Sequence, residues 1–277
     1  MGERQKAAIV YDFDGTLAPG NMQEHSFIPA LGIDAEAFWS DVKRVAKQHD
    51  ADEILVYMWL MLARAKDKGL KVDRESLITH GAKTPLFAGV PQWFDRIEEF
   101  ATKRGLELEH YIISSGIREM IEGCAISKRF KQIFASRFAF DEAGNAIWPA
   151  VAINYTTKTQ FLFRINKGID NTWDTSLINK WQPYDERPVP FPRMIFIGDG
   201  ETDIPAMKMI RHQGGYAIAV FDPEKWAAKK LQDRVHTLVS EDRVQFVAPA
   251  DYQESSQLDV TIKGVLGRIA RECGYRE

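Results

Sequence analysis

Cysteine is nearly missing. Cys124 and Cys273 are the only two in 277 residues, too few for a disulfide framework and not spaced as a metal pair, so both read as passive thiols. No apolar run approaches the roughly 20 residues of a membrane-spanning helix. Met1–Lys6 enters the first strand pattern without the make-up of a signal peptide, which makes the cytoplasm the expected compartment and excludes a membrane partner. An excess of basic charge is also lacking: a formal net charge of −3 leaves no electrostatic footprint for nucleic acid. His25, His49, His80, His110, His212 and His236 are scattered, without the close spacing of zinc ligands. Only His25, just past the first motif described below, is placed for a role. There is no repeat, low-complexity tract or heptad pattern.

What is present is an ordinary globular composition, 45% hydrophobic and 27% charged, and enough chain to bury a large core. Two apolar runs end on acids. Ala7-Ala8-Ile9-Val10-Tyr11 leads into Asp12-Phe13-Asp14-Gly15-Thr16, and Met194-Ile195-Phe196-Ile197-Gly198 leads into Asp199-Gly200-Glu201-Thr202-Asp203. Read as buried parallel strands, both end at the sheet edge where α/β folds bind ligands. Asp12 and Asp14 are two residues apart, so their side chains leave an extended chain on the same side. Carboxylates gathered at one edge resist ionising together unless a cation lies between them, and an all-oxygen ligand set of this kind points to Mg²⁺. Polar turns after core strands are common, but the four fixed positions of Asp-x-Asp-Gly-Thr should match by chance in roughly one chain of this size in several hundred.

Between the motifs, residues 22 to about 83 carry helical periodicity: Ala35 to Gln48, Ala51 to Lys68, and a third helix from Asp73 to Gly81. The pattern then returns to alternating helix and strand, with Trp93 to Lys103 helical and Glu109 to Ile113 extended. A helical module is thus expected inside an α/β sheet protein. The expected division is residues 1–18 and 85–277 for the core and 19–84 for the helical module. Phe130 to Ala139 and Ala146 to Ile153 flank a turn signal at 141–145. A helix follows Thr156-Thr157-Lys158 and stops at Gly168. Residues 169–192 form a long loop holding Trp181 and Tyr184, functional or partly mobile by its length. Tyr216 to Phe221 reads as a strand, Pro223 to Leu231 as a helix, and Val260 to Cys273 as the last helix.

In order, the first acid motif, Ile112-Ile113-Ser114-Ser115-Gly116 at a strand end, a lysine, and Gly198-Asp199-Gly200-x-x-Asp203 resemble the haloacid dehalogenase-like hydrolase superfamily, in particular its phosphoserine phosphatase-like branch. The likeness spans Ile9 to Asp203. It implies a Rossmann-like parallel core with a small helical cap inserted after the first motif. It also implies a Mg²⁺-dependent phosphatase acting on a small phosphorylated metabolite. Carried onto this chain, Asp12 is the nucleophile that becomes an aspartyl-phosphate. Asp14 is the acid and base, and its presence argues for phosphate rather than dehalogenase chemistry. Ser114, with backbone N–H groups near Ser115 and Gly116, holds phosphoryl oxygens. Asp199 completes the metal site with the Asp12 carboxylate and the Asp14 carbonyl, and Asp203 ligates through water or orients a lysine. Glu201 matches no family position and reads as solvated.

Lys158 and Lys167 compete for the lysine position. They are nine residues apart, about 13 Å along a helix, so one site cannot use both. A helix antiparallel to its neighbouring strands presents its N-terminus at the edge of the acids, which selects Lys158. The branch carries an acid seven residues after the second aspartate to bind an amine, whereas this chain has Asn21; Glu24 is near but out of register, so an amino-acid phosphate is not favoured. Tyr57, Trp59 and Arg64, on the second cap helix, are candidate pocket residues. A phosphomutase using the same residues, or a non-catalytic binding protein on this scaffold, are the competing readings. Oligomeric state is not legible.

Overall fold

A computed structural model describes residues 4–200 and 202–276. Glu201, expected to be solvated, lies outside the described residues, as do residues 1–3 and 277. The strands are β1 (Gln5–Tyr11), β2 (Leu106–Ile117), β3 (Gln132–Phe140), β4 (Ala146–Val151), β5 (Met194–Gly198), β6 (Tyr216–Phe221) and β7 (Phe246–Pro249). They form one sheet in the order β4-β3-β2-β1-β5-β6-β7. Every pairing is parallel except β3–β4, so the Rossmann-like sheet carries one antiparallel edge strand.

Burial explains why β1 sits in the middle. Its residues Ala7 to Tyr11 are fully covered, and alternate side chains enter two separate cores, Ala7, Ile9 and Tyr11 on one face and Ala8 and Val10 on the other. The first core includes Trp93, Phe94 and Ile97 of α5 (Val90–Thr102) and Leu258, Ile262 and Leu266 of α11 (Gln257–Glu272). The second takes Phe161, Leu162 and Ile165 of α7 (Thr157–Lys167) and Ala206, Met207 and Ile210 of α9 (Ile204–His212). The result is a three-layer α/β/α core. Short helices α6 (Arg118–Gly123) and α8 (Thr175–Asn179) and the surface helix α10 (Lys229–Ser240) complete it.

The cap lies between β1 and β2. It comprises α1 (Phe27–Ala30), α2 (Ala35–His49), α3 (Glu53–Asp67) and α4 (Arg74–Gly81). Asp34, Asp52 and Asp73 accept backbone N–H groups at the starts of α2, α3 and α4, which satisfies donors that a helix start leaves unpaired. The chain returns from the cap beside its point of departure, where Phe87 N–H donates to Leu17 O at 3.0 Å. Further ties run to the β3–β4 hairpin: Ala146 N–H donates to Val72 O at 2.7 Å, and Asn154 Nδ2 donates to Asp52 Oδ2.

Two sequence expectations need correction. The segment after β6 forms only a short 3₁₀ turn at Pro223–Lys225, and its helix, α10, starts at Lys229 and continues to Ser240; Asp222 caps the turn, and Pro223 is spent there rather than opening a long helix. The loop 169–192 also contains α8, capped by Asp174.

Helices α4 and α6 approach so closely that glycine is required at both. A Cβ on Gly81 would lie 1.8 Å from Met120 O, and one on Gly123 2.1 Å from Ile78 O. Gly123→Val should therefore cost about 1–3 kcal/mol by overpacking and lower the melting temperature. Gly264→Ala, at an exposed α11 position with open space around it, should stabilise by about 0.5–1 kcal/mol. Equal and small effects of both in thermal melts would contradict this packing.

Candidate active site

Strand β1 ends at Tyr11, and its neighbour β5 ends at Gly198. The parallel register pairs Tyr11 with Ile197, and Asp12 N–H donates to Ile197 O at 2.9 Å. This pairing puts the first residue beyond each strand, Asp12 and Asp199, at one edge. β1 leads to β2 on one side while β5 lies on the other, the kind of crevice in which open α/β sheets bind ligands.

Asp12, Asp199 and Asp203 each offer a carboxylate oxygen, and these lie within 4.8 Å of one another. Asp203 stands before α9 and folds back under β5; a Cβ on Gly198 would meet its Oδ2 at 2.2 Å, so glycine makes room for the acid. Gly15 has φ +71°, and a Cβ there would sit 2.8 Å from Asp199 Oδ2.

Lys158, at the N-terminal turn of α7, is fully buried. Its Nζ lies 2.9 Å from Asp12 Oδ2 and 2.6 Å from Asp203 Oδ1. Lys167 is at the other end of α7, where its Nζ donates to Ile178 O at 2.5 Å and Lys180 O at 2.6 Å. It fastens the 169–192 loop and is not at the site.

Burial and the Asp203 carboxylate push Asp12 well above the ordinary carboxylate range, with Lys158 pulling back only in part. Burial also works against the Lys158 charge, but Asp12 and Asp203 outweigh it and hold the ammonium charged. Lys158 thus faces Asp12 and Asp203 while Arg234 stands 3.4 Å from Asp199 Oδ2, and the negative charge that remains, on an all-oxygen donor set, suits a divalent cation.

Asp14 is not in that carboxylate group. Its Oδ1 accepts the Met22 N–H at 2.9 Å, and burial pushes it up to about 7 against that hydrogen bond. The carboxylates that cluster are those of Asp12, Asp199 and Asp203, and the role that the resemblance gives Asp14 at the metal falls to its carbonyl rather than its side chain. Ser114 is buried near the end of β2, where the pairing with β3 shifts register, and its Oγ accepts the Gly116 N–H at 2.9 Å. A Cβ on Gly116 would lie 3.1 Å from Asp14 Oδ2, so this turn runs directly beside Asp14.

The cap overhangs a half-open chamber of about 150 Å³ beside these groups, lined by Asp12, Asp14, Ser114, Ser115, Gly116 and Asp199. Asn21, Gln23, Trp39, Ile54, Tyr57 and Thr202 complete it. Tyr57 belongs to it, and its hydroxyl donates to Ser115 O at 2.5 Å. Trp59 is 54% exposed, and Arg64 pairs with Asp41 at 2.6 Å in a separate surface hollow; neither lines the chamber. His25 bonds Pro19 O at 2.8 Å and is not part of it. Glu24 is also engaged, its Oε1 accepting Asn21 Nδ2 and Trp39 Nε1, each at 2.6 Å. Sequence reasoning missed Gln23, Trp39 and Ile54, whose only signal was nearness to the first motif or helical spacing. It also missed Arg234, 3.4 Å from Asp199 Oδ2, because α10 was expected to end at Leu231.

The family model of haloacid dehalogenase-like hydrolases matches residues 9–208. An uncharacterized protein of Borreliella burgdorferi is 30% identical over 286 aligned positions, covering 93% of this chain and 96% of its own. Among solved structures, a probable phosphoserine phosphatase from Vibrio cholerae aligns with TM-score 0.58 at 14% identity, covering 97% of this chain and 67% of its own. A phospho-aspartyl intermediate analogue of phosphoserine phosphatase aligns with TM-score 0.54 at 15% identity, covering 94% and 99%. At those identities the structures speak for a shared fold.

Truncating Lys158 would leave two buried acids without a counter-charge, a loss of about 3–5 kcal/mol. Lys167→Ala removes only hydrogen bonds at the loop, about 1 kcal/mol each. Denaturant unfolding should rank the variants accordingly, and the Lys158→Ala deficit should shrink in mild acid, where protonation neutralises the stranded carboxylates. A larger deficit for Lys167→Ala would contradict the placement.

Proposed function

This chain belongs to the haloacid dehalogenase-like hydrolases, and on that premise we propose that it is a Mg²⁺-dependent phosphatase acting on a small phosphomonoester through an aspartyl-phosphate on Asp12. The observation that carries the reading is the meeting of Asp12, Asp199 and Asp203 around Lys158, beside a half-open chamber that Asp14 also lines. The proposal divides the chain into a core of residues 1–18 and 85–277 and a cap of 19–84. It takes the phosphorylated metabolite to be a cytoplasmic one. Among the described residues no helix is long and apolar enough to cross a membrane.

Asp12, Asp199 and Asp203, with the Asp14 carbonyl, would hold Mg²⁺, which when bound supplies positive charge against the acids and the phosphoryl oxygens. Lys158 Nζ holds Asp12 Oδ2 at 2.9 Å and the Phe13 N–H donates to Oδ1 at 2.7 Å, so the carboxylate is fixed and one of its oxygens is the nucleophile. That oxygen attacks phosphorus while the bond to the alcohol oxygen breaks, and the departing alkoxide takes the Asp14 proton. Burial suits Asp14 to this work, because a carboxyl raised to about 7 still holds a proton near neutrality. Ser114 Oγ and the Ser115 N–H would donate to the oxygens where charge spreads, the Gly116 N–H at 2.9 Å orienting the Ser114 hydroxyl for this. In the second half, water gives its proton to Asp14 and attacks phosphorus, releasing phosphate and restoring the Asp12 carboxylate. Water has a route: a broader cavity of about 410 Å³ borders Asp14 and Asp199 and is walled by Lys225 and Lys230, both exposed.

Purified protein should release phosphate from p-nitrophenyl phosphate with Mg²⁺ and stop on chelation. Asp12→Asn should abolish turnover, and Asp14→Asn should slow it by about 10²–10⁴-fold. The parent kcat/KM should fall as pH rises and Asp14 loses its proton, and that alkaline limb should vanish in Asp14→Asn. A parent inactive on every phosphomonoester tried, or an active Asp12→Asn, would overturn the reading.

A further inference from the structure

The upper walls of the chamber differ sharply in charge from its floor. The phosphoryl end meets the acids, with Lys158 buried behind Asp12, whereas among the described residues no lysine or arginine lines the chamber. Arg64 turns away to Asp41, and Arg234 faces the other cavity. A carboxylate on the alcohol part of a substrate would enter a partly covered space beside the Asp14 carboxyl with no cation lining it, and partial desolvation of an unpaired charge is costly. The same walls offer apolar surface: Ile54, the indole of Trp39 and the ring of Tyr57, the two rings packed edge to face at 5.7 Å.

A second, independent feature is an unpaired acceptor. Gln23 is only 2% exposed, lines the chamber, and its Oε1 has no hydrogen-bond partner. Buried polar atoms are nearly always paired, and a stranded acceptor costs the desolvation of that group. Gln23 lies in the 3₁₀ turn Met22–His25, and Met22 N–H is the donor that holds Asp14, so the backbone that positions Asp14 also positions the acceptor. Ser115 Oγ is likewise buried and without a partner on the same chamber, but a hydroxyl can donate or accept, whereas the amide oxygen only accepts.

We propose that this chamber selects phosphomonoesters whose alcohol part carries no negative charge, lies against Trp39 and Ile54, and donates one hydrogen bond to Gln23 Oε1. The inference rests on the phosphatase reading of the same site and adds the class of substrate. Gln23 contacts the alcohol part only and takes no share in the displacement at phosphorus. A site that pairs a buried group with a substrate O–H or N–H discriminates strongly against the analogue lacking it.

Three probes that differ at one terminal group test it: ethyl phosphate, hydroxyethyl phosphate and phosphoglycolate, ending in a methyl, a hydroxymethyl and a carboxylate. The parent protein with Mg²⁺ should show kcat/KM highest for hydroxyethyl phosphate, about tenfold lower for ethyl phosphate, and lower again by a similar factor or more for phosphoglycolate. Gln23→Leu should collapse the first ratio toward one while the penalty on the carboxylate stays. Gln23→Glu keeps an acceptor and adds charge, so it should retain the preference for the hydroxyl and deepen the penalty; it serves as the test if Gln23→Leu melts early. Phosphoglycolate as the best probe, or a hydroxyethyl-to-ethyl ratio unchanged in Gln23→Leu, would overturn the inference while leaving a working phosphatase. No turnover of these probes or of p-nitrophenyl phosphate would overturn the phosphatase reading, and this inference with it.

Discussion

Three acids meet Lys158 and Arg234 at one edge of the sheet, and the rest of the site is arranged around that fact. Asp12 and Asp203 bracket Lys158 at 2.9 and 2.6 Å, and Asp199 brings a further carboxylate to the same spot. A buried ion pair is no reliable source of net stability, because desolvating both partners offsets their attraction. This cluster is unbalanced toward negative charge as well. A fold that keeps such a group at the centre of its sheet edge holds it for something other than stability, and relief of the imbalance by a divalent cation is the chemical use that fits.

The geometry that enforces this crowding is supplied by the sheet. Adjacent parallel strands β1 and β5 end level with each other, so the residues that follow them meet. Helix α7 presents Lys158 from its N-terminal turn, and α9 begins directly after Asp203. Glycines at 15 and 198 leave the volume into which Asp199 and Asp203 fold. The cap then adds Gln23, Trp39, Ile54 and Tyr57 as walls of a chamber whose acids come from the core.

Much of this was legible in the chain, for identifiable reasons. Apolar runs ending on acids mark buried strands whatever surrounds them, so Asp12, Asp14, Asp199 and Asp203 stood out, and the helix-direction argument separated Lys158 from Lys167. Asp73 and Gly168 bound their helices by local cap chemistry that tertiary packing did not override. Less was legible where packing decides. Asp14 points to Met22 rather than joining the other carboxylates because the chain turns immediately after β1. Tyr57, Trp59 and Arg64 share one helix, yet only Tyr57 faces the chamber, since the facing of a cap helix depends on how it docks. Gln23 carried no signal beyond its nearness to the first motif, because an unpaired buried amide exists only once the chain has packed around it. The start of α10 was misplaced because Pro223 suits a short turn as readily as a helix.

Calorimetric titration of Mg²⁺ into the purified protein, beside Asp199→Asn, tests the central claim most directly. The account predicts a single binding site in the parent that is lost or much weakened when the Asp199 charge is removed. No binding to the parent, or equal binding to both proteins, would contradict it.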